Sequence, residues 1–270
     1  MAILERYVKS EREKKADKQA REIWWQFLRP RWELRAAIKG KSHVLAMSRV
    51  SSHLAVCRLA TGPVFSIECN ILVFENLSPF AALQSRSHEL WARFFSSTLE
   101  DRLRYTPSDC FRTFPFPANY ETDPALEAAG EAYHAFRAQL MIARNEGLTK
   151  TYNRFHARGE NAADIARLRA LHHEMDIAVL RAYARGSSSE DDSKGWNVLA
   201  DRAAPEFIEQ DADAGKTPKT RLDWPSEFKD EVLARLLALN ATRAAEERAA
   251  GLVAVDDGED EDADLEGENE

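Results

Sequence analysis

The stretch HVLAMSRVSSHLAVCRLATGPVFSIECNILVFEN, residues 43–76, holds three apolar runs of strand length: HVLAMSRV, HLAVCRLA and VFSIECNILVFEN. Val, Ile, Leu and Phe fill them, and turn residues divide them at Ser51–Ser52 and at Thr61, Gly62 and Pro63. Apolar runs bounded in this way read as strands. The links are too short for the crossover that parallel neighbours need, so the expectation is an antiparallel meander. The flanks read as helix. Residues 2–38 are dense in good helix formers, with a break at Pro30 near Arg29 and an end at Gly40. Beyond the strands, Ser78 and Pro79 open SPFAALQSRSHELWARFFSSTL. There Phe80, Leu83, Leu90, Trp91, Phe94 and Phe95 supply the three- and four-residue spacings of one buried face.

The next segment, LRYTPSDCFRTFPFP at 103–117, resists regular structure. Pro107, Pro115 and Pro117 remove backbone donors and push the residues before them toward extended shapes, so the surroundings must hold this segment in place. Phe111, Phe114 and Phe116 read as a plug for a core. Arg102, Arg104, Tyr105, Thr106 and Ser108 form a set suited to phosphate.

From there the chain turns helical. DPALEAAGEAYHAFRAQLMIARN has Asp123 as N-cap, Pro124 in the first turn and an end near Asn145. GLTKTYNRFH reads as a loop or short turn, and ADIARLRALHHEMDIAVLRAYA as an amphipathic helix with Ile165, Leu168, Leu171, Met175, Val179 and Tyr183 on one stripe. GSSSEDDSKG, 186–195, reads as a flexible insertion, and a last helix begins after Pro225 with Ser226 near its start. The fold class expected is α+β: a short antiparallel sheet packed by helices, followed by a mainly helical C-terminal region. Its divisions are a basic helical lead-in (1–40), an α+β domain (41–122), a helical region (123–251) and a disordered acidic tail (252–270).

A chain of 270 residues can build a sizeable core. No segment approaches the 18 apolar residues of a membrane span, and the charged start shows no secretory signal. Cys57, Cys69 and Cys110 have no CxxC spacing, which suits a reducing, cytoplasmic compartment and offers no zinc site. The net charge of −8 conceals a segregation. Ten acids and no Lys or Arg lie beyond Leu252, which leaves +2 for the rest, and residues 1–60 hold 14 Lys or Arg against 6 Asp or Glu. A basic front with an acidic tail suits a polyanion binder; a solvated helix followed by a loose end explains the same charges.

The usual marks of catalysis are missing. No two glycines stand two apart, so no glycine-rich loop can cradle a cofactor phosphate, and GxSxG, HExxH and an Asn-Pro-Pro-aromatic loop are all lacking. His172 and Asp176 could share a helix face, yet two ligands make no metal site, and their helix is patterned for packing. The expectation is a chain with no catalytic residues, no metal and no cofactor of its own.

Around one tight turn the sequence gathers Arg49, Ser51, Ser52, His53 and Arg58. Strand alternation would put Arg49 and Ser51 on one outward face. Arginine makes bidentate contacts to guanine or phosphate, and serine reaches base edges or phosphate oxygens. A solvated hairpin tip explains the same residues.

Three segments carry a resemblance: SRVSSHLAV, VFSIECNILVF and LQSRSHELWARFFSSTLEDRLRYTPSDCFRTFPFP. They resemble the C-terminal half of the MmeI-like and Eco57I-like adenine-specific DNA methyltransferases of restriction–modification and phage-defence systems. GLTKTYNRFH with the helix after it, and DWPSEFKDEVLARLLALNATRAAEE, are similar to the family's segments after target recognition and at its end. The resemblance implies a target recognition domain that binds double-stranded DNA. It also implies a partner, a methyltransferase catalytic subunit or domain, that carries S-adenosylmethionine and holds a flipped adenine. The DNA-binding residues expected are Arg49, Ser51, His53, Arg58, Arg102, Arg104, Tyr105, Asn153 and Arg154. The alternatives are a helical protein-interaction subunit, a truncated fragment without DNA contact, and an autonomous metal-dependent nuclease using His172 and Asp176.

Overall fold

The computed structural model describes residues 2–26, 31–96, 98–99, 102–187, 189–210 and 220–251, so the break expected at Pro30 and the acidic tail lie outside the described residues. The lead-in is helical in short pieces, among them Glu5–Lys9, Lys18–Glu22 and Trp32–Ala37.

The first apolar run forms β1 (His43–Ser48) and, after a bend at Arg49, β2 (Val50–Ser51); the others form β3 (Cys57–Ala60) and β4 (Cys69–Leu72). The sheet is antiparallel as expected, but its order is β3-β1-β4, so the first run is central where a meander would put the second. The reason is burial. Val44 to Met47 of β1 are buried on both faces, whereas Leu59 and Ala60 leave β3 exposed at an edge. A strand apolar on both faces belongs in the middle. Short β2 leaves this sheet to pair with β6 (Arg102–Arg104), which has β5 (Thr98–Leu99) on its other side.

The helix expected from Ser78 is two helices. All eight residues of α1 (Leu77–Gln84) are buried, as befits a helix at the centre of a core. Ser85 then turns extended, with ψ 157°, and its hydroxyl caps α2 (Arg86–Phe95) by accepting from the His88 N–H at 3.3 Å. The aromatic segment is the plug that the sequence suggests. Phe114 and Phe116 are buried with centroids 4.8 Å apart, and Phe116 stacks on Tyr120 at 4.2 Å. The last helix holds the segment's backbone, where Asn240 donates to the Thr113 carbonyl at 2.6 Å and Arg243 to that of Phe116 at 2.7 Å.

The remaining helices are α3 (Pro124–Arg144), α4 (Leu148–His156), α5 (Ala163–Gly186), α6 (Glu190–Arg202) and α7 (Ser226–Ala249). The Asp123 carboxylate accepts from the N–H groups of Ala125 and Leu126, and Asn145 ends α3 in the left-handed region at φ 51°. At Gly130, α3 comes so close to α1 that a Cβ would run into the Leu77 carbonyl oxygen. Two expectations fail in this region. GLTKTYNRFH is the helix α4, because Thr151, Tyr152, Phe155 and His156 give it a buried face and Arg169 collects the carbonyls of Arg154, Phe155, Ala157 and Glu160. Most of GSSSEDDSKG is also helical. Ser189 caps α6, three acids occupy its first turn, and buried Trp196 stacks on Tyr183 at 4.5 Å. Between α6 and α7 lies a hairpin, β7 (Glu206–Glu209) with β8 (Thr220–Asp223), that no sequence signal announced.

The protein is therefore α+β, with one apolar cluster running from Leu45 of β1 to Leu236 of α7. Among the described residues no helix is long and apolar enough to cross a membrane.

Candidate nucleic-acid interface

The β2-β6 pairing arranges the cations. Val50 stands opposite Arg104 and Ser51 opposite buried Leu103, so Arg104 and Arg102 lie on the open face with Val50, and Ser51 lies on the other. The outward face expected for Ser51 is thus not the one it occupies. Arg49 sits in the bend, half-buried; its N–H donates to the Glu68 carbonyl at 2.9 Å and its own carbonyl accepts from Tyr105 at 2.7 Å. Arg102 is exposed.

Beside this strip a groove of about 380 Å³ lies between the first sheet and the start of α4. Ala46, Ser48, Ser51, His53, Cys57 and Leu59 line one side, and Leu148, Thr149 and Tyr152 the other. His53 ties the two together. Its Nε2 donates to the Asn153 Oδ1 at 2.9 Å, and its ring stacks on Tyr152 and His156 with centroids 5.7 and 5.2 Å away. Its Nδ1, left as an acceptor, has no hydrogen-bond partner. Burial, helped by Arg221 and Arg93, pushes the ring below its ordinary pKa in spite of the Asn153 bond. Residues a hundred positions apart, both expected at the interface, are therefore neighbours.

Other expected residues are engaged elsewhere. Tyr105 is a correction: it is only 2% exposed, so its hydroxyl is out of reach of a phosphate. It donates instead to Nε2 of His88 at 3.1 Å, while His88 Nδ1 donates to the Leu83 carbonyl. Burial raises the Tyr105 pKa and lowers that of His88 to about 4. Arg58 stands opposite Leu45, turned to the core face near His134 and away from the groove. Arg154 is held by Glu146 at 2.9 Å and by Glu160 at 2.7 Å, which neutralise it.

The metal-like pair is structural. Asp176 and His172 are buried, and Arg86 bonds to both, closing a triad inside the core. Burial alone would raise the Asp176 carboxyl, but His172 and Arg86 outweigh it and hold it low. No group of three metal-binding side chains exists among the described residues. A second network went unforeseen, with Glu89 of α2 bonded to Arg93 and to Arg221 of β8. Glu89 and Arg93 stand four apart on one helix, and only chain folding brings Arg221 to them.

The architecture defines an α+β module with cations along one face of β6 and a groove beside them that no Lys, Arg, Asp or Glu lines. Residues 4–118 match the family model described as "MmeI, target recognition domain". Over that stretch the resemblance read from the sequence holds. A solved structure of the Type IIL restriction-modification enzyme MmeI in complex with DNA is also similar, at 19% identity and a TM-score of 0.46, over 74% of this chain and 26% of that one. None of the curated proteins matches the chain.

Proposed function

We propose that this chain is the DNA sequence-recognition part of a restriction–modification adenine-N6 methyltransferase of the phage-defence type, working in the cytoplasm. The observation that carries this reading is the target-recognition match over residues 4–118. The Arg102 and Arg104 strip, with Arg49 beside it, supports it as a surface for phosphates. In this reading 41–122 is the recognition module, 1–40 its basic lead-in and 123–251 the helical region that buttresses it. The chain does not fit S-adenosylmethionine, since it lacks a glycine-rich loop, so methyl transfer falls to a catalytic domain or subunit outside these residues.

Fluorescence anisotropy with duplex DNA at several salt concentrations tests the proposal. Affinity that falls steeply with salt supports it; no affinity, or affinity indifferent to salt, ends it. One observation favours a second reading, a protein-interaction subunit without DNA contact. The lead-in exposes Ile3, Tyr7, Trp25 and Trp32 at 75, 60, 46 and 69%, an apolar display suited to a protein partner. Recognition of DNA by the assembled complex that survives Arg49→Ala with Arg104→Ala decides for that reading.

A further inference from the structure

We propose that the groove between the first sheet and α4 receives an unstacked nucleobase, while the sugar-phosphate strand crosses its rim; this rests on the DNA reading above. The volume, about 380 Å³, falls in the range of small-molecule sites. No Lys, Arg, Asp or Glu lines it, so an ionic group would lose its water there and gain no counter-charge. The interior suits a neutral, flat ligand. Its floor is one sheet face, with Ala46 opposite Cys57 and Leu59 two residues on, and Leu148 and Tyr152 form the facing wall.

The polar groups match a base edge, which carries donors and acceptors side by side. His53, which lines the groove, carries in Nδ1 a buried acceptor without a donor, which a base edge reaches once the ring tilts toward the groove. The Ser51 hydroxyl oxygen already accepts from the His53 N–H at 3.2 Å, so its own hydrogen is left to donate. Positive charge lies next to the lining: Arg104 stands opposite groove-lining Val50, Arg102 shares its face of β6, and exposed Lys150 follows Thr149. Neutral inside and cationic at the rim is the complement of a nucleotide, whose base is neutral and whose phosphate is anionic. A base that is mismatched or unpaired leaves its stack at least cost, so such sites should be preferred.

The test uses the full chain labelled with ¹⁵N and each of the four deoxynucleoside monophosphates, titrated to about 10 mM, with inorganic phosphate as control. Amide shifts at Ser51, His53, Thr149 and Tyr152 are expected. Leu59→Trp should fill the mouth from a residue that is 40% exposed and weaken binding about tenfold. His53→Phe, which keeps the ring stack and removes the acceptor, gives an independent check and should weaken binding by a similar factor. Three results overturn the proposal: no groove shift with any nucleotide; shifts confined to Arg102, Arg104 and Lys150 that phosphate reproduces; or affinity unchanged in both variants. Salt-sensitive duplex binding without groove shifts sinks the groove alone. Groove shifts without duplex binding sink the DNA reading and leave the groove a nucleotide site.

Discussion

Arg86 opens α2 and Arg102 opens β6, a strand that follows a short way on, and the protein treats the two in opposite ways. Arg86 is 3% exposed and enclosed by Asp176, His172 and the Leu222 carbonyl. Arg102 lies open on the face of β6, the middle strand of its small sheet. The helical body spends its arginines inward: Arg137 donates to Gln84, Tyr152 and the Val56 carbonyl, and Arg169 closes the end of α4. β6 keeps Arg102 outward. A count of positive charge along the sequence therefore overstates what a polyanion would meet, since much of it already answers buried carboxylates and carbonyls.

If that contrast is right, changes in the body should cost stability and changes on the open face of β6 should cost binding. The largest effect is expected from Asp176→Ala, which strands the Arg86 charge in the core and should cost about 3–5 kcal/mol in denaturant unfolding. A loss below about 1 kcal/mol would mean that water reaches the triad. Next comes acid. His88 is neutral and fully buried, with its pKa lowered from 6.5 to about 4, so the unfolded chain takes up its proton first as pH falls. The stability it contributes is complete above pH 6.5 and drains away between pH 6.5 and 4, by roughly 3 kcal/mol at the lower end. His88→Asn should flatten that part of the profile. Gly130→Ala, which drives a methyl into the Leu77 carbonyl, should cost about 1–3 kcal/mol and lower Tm. Tyr105→Phe removes one buried hydrogen bond, about 1 kcal/mol, and should leave DNA affinity alone. If DNA affinity falls while stability holds, Tyr105 belongs at the interface after all.

The sequence carries the local part of this architecture and loses the assembled part. Asp123, Pro124 and Asn145 mark α3 to the residue because caps are chemistry between near neighbours. The strands too were visible as runs. Their order was not, because whether β1 or β3 takes the middle depends on what covers each face. α4 and α6 were hidden for a related reason. Glycine, threonine and serine suggest loops, and the burial of Tyr152 and Trp196 overrides that preference. Among the expected interface residues, Arg102 and Arg104 could be grouped as near neighbours in the chain, although the strand that carries them was not legible. The bond between His53 and Asn153 could not, since nothing in either segment points to the other.

The most direct test of the central claim compares the salt dependence of duplex binding by the native chain and by Arg102→Ala. The account predicts weaker binding for the variant, a slope of log K against log salt shallower by about 1, and an unchanged Tm. An unaltered slope in a folded variant would contradict it, because the open face of β6 would then touch no phosphate.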